Sequence, residues 1–218
     1  PLSNSTEPFL IDGNEQPTLD VRAGIDWETL GGLPGPLQDI VTPTGSVIPQ
    51  PTFENPATSS TITIGDITNQ GGVVLLTNLY EPDNQLNGGI NVNSIDVSGN
   101  LFNLVDGGSI TVDSREEIKI NESAIIDASA DSFLVFFFGD GGDVNLLAQE
   151  DIVLEPGSSI ESTGFLGGGI VINSSQGSLF INDSIITSIS SDTGRANNAA
   201  EAGDICLGVQ SIFLNNFA

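Results

Sequence analysis

The side chains able to do chemistry are narrow in kind: 29 Asp and Glu, four Lys and Arg, one cysteine and no histidine in 218 residues. Without histidine neither a Ser-His nor a Cys-His nucleophile can be assembled, and the commonest metal ligand is missing. Carboxylate pairs remain. Asp140 with Asp143, or Glu150 with Asp151, have the residue types for acid–base cleavage of a glycosidic bond. In so acidic a chain such pairs arise throughout, and a pair carries meaning only beside a cleft. Lyase action on a uronate polymer is disfavoured further, because a polyanionic substrate would approach a formal charge of −25. The same charge disfavours nucleic acid and anionic lipid surfaces as partners. Cys206 is the single cysteine, so no intramolecular disulfide forms, and a thiol with no cation beside it is expected to be unreactive.

Two segments invite a site reading. Gly139 to Asp143, GDGGD, echoes calcium-binding nonapeptide turns, which need tandem GGxGxD copies. The chain has no such tandem, so no cofactor is assigned and calcium stays open as an alternative. Phe133 to Phe138 reads FLVFFF, and about half of it would point outward if it were a strand. It is either a loop covering the flank of the fold or an exposed apolar contact for a partner, with Phe136, Phe137 and Phe138 as the contact residues. The stretch is far shorter than the roughly 20 residues a membrane helix needs, so no membrane insertion is expected. Asn4, Asn121, Asn173 and Asn182 open Asn-x-Ser/Thr sequons, which a Ser/Asn-rich chain produces by chance.

These residues are positioned by short strands. A glycine pair or Gly-Asp followed by alternating apolar residues recurs as GGVVLL from Gly71, GGINV from Gly88, GGSITV from Gly107, GGDVNLL from Gly141, GGIVI from Gly168 and GDICL from Gly203. The apolar couplets, such as Ile90 and Val92, Ile110 and Val112 or Val144 and Leu146, are two apart, the period of a strand. A second couplet follows in the later units, for example Ile118 and Ile120 or Ile152 and Leu154, and a third apolar point lies near Ile126, Ile160 and Ile186. Hairpins would call for two-residue Asn-Gly or Asp-Gly loops. The connections here are longer and polar, DSREE before Ile118 and AQED before Ile152, which suits a chain turning a corner and winding onward. The expected fold is all-β: a parallel β-helix with a three-sided cross-section and one continuous aliphatic core. Aligned glycines stand from 17 residues apart (Gly71 to Gly88) to 35 (Gly168 to Gly203). Longer coils are therefore expected to bulge from one edge or to have lost their opening glycine.

Nine of the eleven prolines fall between Pro1 and Pro56. Proline removes a ladder donor, so residues 1–58 are expected to form an irregular flank or insertion packed on the solenoid, with one short strand at Thr18 to Val21 and Trp27 as an apolar anchor. Coils are expected over 59–218. Carboxylates one rung apart repel by roughly 1 kcal/mol in water and several times that at an effective dielectric of 20, so a solenoid must stagger them or neutralise them with cations, and of the two a staggered acidic surface is expected. A flat face could bind ice through threonine rows, but Thr61 and Thr63 are not repeated in register by Thr77, Thr111, Thr163 or Thr187. Open end coils leave unpaired backbone and suggest a section of a longer solenoid, or end-to-end or lateral self-association.

The stretches GGSITVDSREEIKINESAIIDAS, GGDVNLLAQEDIVLEPGSSIESTGFLGGGIVINSS and GDICLGVQSIFLNN, with TLDVRAGIDW and GGLPG upstream, resemble the repeats of filamentous haemagglutinin-like bacterial exoproteins of the two-partner secretion type. The resemblance implies a right-handed parallel β-helix exported through an outer-membrane pore partner. It implies a secreted or cell-surface location and a structural or adhesive role, with surface glycans or a neighbouring cell as targets. It carries over no catalytic residues, since those repeats are scaffold. SADSFLVFFFGDGG, Ser129 to Gly142, departs from the short polar link that such repeats carry there. The alternatives of a different class are a carbohydrate-active β-helix enzyme, of glycoside hydrolase or lyase type, and an ice-binding solenoid.

Overall fold

The computed structural model describes residues 18–23, 61–78, 88–99, 105–130, 139–190 and 203–215, and it is a parallel β-helix. Strands follow one another as three sides of a coil. Coil one is β1 (Thr18–Ala23), β2 (Ile62–Ile64) and β3 (Ile67–Thr68); coil two is β4 (Val73–Asn78), β5 (Ile90–Val92) and β6 (Ile95–Asp96). Coil three is β7 (Ser109–Ser114), β8 (Ile118–Ile120) and β9 (Ile125–Asp127), and coil four is β10 (Val144–Ala148), β11 (Ile152–Leu154) and β12 (Ser159–Gly164). Coil five is β13 (Ile170–Ser174), β14 (Leu179–Asn182) and β15 (Ile185–Ser190), and β16 (Ile205–Gly208) and β17 (Ile212–Asn215) begin a sixth. The first strand of every coil stacks in sheet A, the second in sheet B and the third in sheet C, and every pairing is parallel.

The core follows from the period of two. Sheet A sends Val74, Ile110, Val144 and Ile170 inward in one row and Leu76, Val112, Leu146 and Ile172 in the next. Sheet B contributes Ile90, Ile118, Ile152 and Leu179, and sheet C contributes Ile95, Ile126 and Ile160. All of these are fully buried. At about 25 cal/mol per Å² of apolar surface removed from water, this aliphatic column is the main favourable term.

Glycine recurs at the corner from sheet C to sheet A because successive coils touch there. A Cβ on Gly108 would lie 1.9 Å from the Gly72 carbonyl oxygen, one on Gly142 1.7 Å from that of Gly108, one on Gly168 2.0 Å from that of Gly142, and one on Gly203 1.9 Å from that of Gly168. Ser162 and Ser188 donate hydroxyl hydrogen bonds to the Gly142 and Gly168 carbonyls of this spine at 2.6 and 2.8 Å. The other corners are closed by small polar side chains. Asn78 donates Nδ2 to the Gly89 carbonyl at 2.7 Å, and the buried Ser174 donates to the Glu150 carbonyl while accepting the Gly177 amide. At the corner from sheet B to sheet C, Ser158 and Ser184 hydrogen-bond each other at 3.0 Å.

Four expectations change. GGINV is out of step with the other refrains: Ile90 and Val92 pair with Ile62, Ile64, Ile118 and Ile120 in sheet B. Gly89, at φ +95° and hard against the Glu117 carbonyl, turns the corner between sheets A and B instead of joining the spine. The 17-residue spacing from Gly71 to Gly88 therefore joins two different corners of one coil. Winding also begins before residue 59, because the strand expected at Thr18 to Val21 forms as β1 and stacks on β4. The proline-rich remainder of 1–58, Trp27 included, lies outside the described residues. Long connections are not confined to one edge: 24–61 and 79–89 join sheet A to sheet B, while 97–108, 128–143 and 191–204 join sheet C to sheet A. Finally, the acidic surface is not everywhere staggered. Asp96, Asp127 and Glu161 occupy one row of sheet C on successive rungs, about 4.8 Å apart.

Candidate functional site

The outer faces of the three sheets are the surfaces on which function can be built. Sheet A presents the row Arg22, Thr77, Asp113, Leu147, Asn173 and Gly208. Asp113 stands out on it. Between the buried hydroxyl of Thr77 and the aliphatic Leu147, its carboxyl is pushed by burial from 3.8 up to about 6, with the Arg115 guanidinium opposing part of the rise. A carboxyl poised there could act as a general acid. A glycosidase needs a second carboxyl across a cleft, and Asp20, on the neighbouring row two strands away, is held by Arg22 at 2.7 and 2.5 Å through both of its oxygens.

Sheet B carries the row Thr63, Asn91, Lys119, Val153, Phe180 and Phe213. Thr63 is thus followed by Asn91 and Lys119, not by a column of threonines. The Phe180 and Phe213 rings stack at 4.8 Å between centroids, 10° from parallel, which is the rung spacing. Beside this row Asn121 donates to Asn93 at 2.7 Å and Asn215 to Asn182 at 2.8 Å. Lys119 is ion-paired with Glu155 of the next coil. Glu117 has its carboxyl raised chiefly by burial; Lys119 lowers it, and Asp151 and Glu155 raise it further. Sheet C carries the acidic row already described, between Thr68 and Thr187. Asp96 accepts both the amide and the hydroxyl of Ser98, and Asp127 accepts the amide of Ser129.

The sequence candidates are placed unevenly. Asp140 and Asp143 lie at the corner from sheet C to sheet A, and each spends a carboxylate oxygen on the next coil: Asp140 accepts the Leu166 amide at 3.3 Å and Asp143 the Gly169 amide at 2.8 Å. Asp151 likewise accepts the Ser178 amide at 2.8 Å. No group of three or more His, Cys, Asp or Glu able to hold a metal occurs among the described residues. Cys206 is exposed on β16. The contact candidates Phe136, Phe137 and Phe138 lie outside the described residues. Asp113 and Glu117 were not singled out from the sequence. The alternation in SITVDS marks Asp113 as outward, but its burial depends on the register that brings Thr77 and Leu147 alongside.

No protein-family model, curated protein or solved structure matches the chain. No helix among the described residues is long and apolar enough to cross a membrane.

Proposed function

We propose that this chain is a non-enzymatic β-helical stalk segment of a secreted or cell-surface exoprotein of the filamentous haemagglutinin-like kind, structural and adhesive in role. The observation that supports this reading is the unbroken register. All three sheets keep one pairing frame from coil to coil, so the backbone ladder supplies length and stiffness while the outer faces carry varied polar side chains. An outer-membrane pore would export the chain, and surface glycans or a neighbouring cell would be its targets. The test pairs a glycan array with a turnover screen on the same polysaccharides. Binding without product is the expected result, and product formation would overturn the stalk reading.

A carbohydrate-active enzyme is the second reading, favoured by one observation, the raised carboxyl of Asp113. On that reading turnover would appear in the screen and vanish in Asp113→Asn.

A further inference from the structure

We draw no further inference here: the strongest candidate, the open edge of the sixth coil, where Ile205, Leu207, Ile212 and Leu214 stand exposed on rows that are sealed in the coils before it, carries nothing because nothing in the structure shows what covers it.

Discussion

Replacing Gly142 by alanine tests the winding at its tightest point. The added Cβ would sit 1.7 Å from the Gly108 carbonyl oxygen and 2.7 Å from that of Gly107, whereas carbon contacts are comfortable only at about 3.5 Å and beyond. Both obstacles are backbone, so coils three and four must part by more than an ångström. That movement pulls on the Gly142 amide, which donates to the Ala128 carbonyl at 2.7 Å, and on the Ser162 hydroxyl bond to the Gly142 carbonyl at 2.6 Å. Two weakened hydrogen bonds at about 1 kcal/mol each and an overpacking cost of about 1–3 kcal/mol give a loss on the order of 3–5 kcal/mol. Gly65→Ala is the control. Nothing lies within 4 Å of its would-be Cβ and its φ is not positive, so stability should hold or rise by about 0.4–1 kcal/mol through the unfolded chain. Urea denaturation followed by far-ultraviolet circular dichroism reads both. Because a solenoid's stability is a sum of coil and neighbour-interface contributions, amide exchange should also quicken at Ile110 and Val144, which flank the damaged interface. Equal midpoints for the two variants, or a loss below about 1 kcal/mol at Gly142, would refute the spine argument.

Asp113→Asn should stabilise the protein at neutral pH. The folded carboxyl is raised above its ordinary 3.8 to about 6, so wild-type stability is fully present below about pH 4 and falls as pH rises through 6; the variant should gain up to about 3 kcal/mol at pH 7 and nothing at pH 3.5, read as melting temperature against pH. Lys119→Met removes the cation that pairs with Glu155 and lowers Glu117; a loss of about 1 kcal/mol in dilute buffer that shrinks in about 1 M salt is expected, and a salt-independent loss would argue for packing instead. Ile152→Ala and Ile212→Ala fall on one row of sheet B, the first fully buried and the second 46% exposed; denaturation midpoints should show about 2–5 kcal/mol lost at the first and clearly less at the second.

The fold was legible because its signals repeat. Period-two couplets named inward residues of sheets A and B, and the single third point at Ile126, Ile160 and Ile186 falls in sheet C as the sequence implies. The error at Gly88 has a physical cause. Glycine serves both the spine, where coils touch, and the corner at Gly89, where φ is positive, and the letters alone do not distinguish the two uses. Asp113 was missed for a related reason. Outwardness is a local property of a strand, but desolvation depends on neighbours 36 and 34 residues away, Thr77 and Leu147.

The placement of the acids shows how a chain with a net charge of −25 can wind tightly. On the sheet C face Asp96, Asp127 and Glu161 stack on successive rungs, and at about 4.8 Å each adjacent pair repels by roughly 1 kcal/mol in water and more near the protein. At the corners the same side-chain type has the opposite effect. Asp66, Asp106, Asp140, Asp143 and Asp151 each reach one coil onward and accept a backbone amide, of Ser94, Asp140, Leu166, Gly169 and Ser178. A hydrogen bond to a charged acceptor contributes about 1.5–3 kcal/mol when buried and less in solvent, and it supplies an acceptor where the chain leaves one sheet for the next. Net charge is therefore a poor guide to strain in this molecule. Neutralising an acid on the sheet C face relieves repulsion between coils, while at Asp96 and Asp127 also weakening a local bond to Ser98 or Ser129, whereas neutralising one at a corner weakens the tie between one coil and the next.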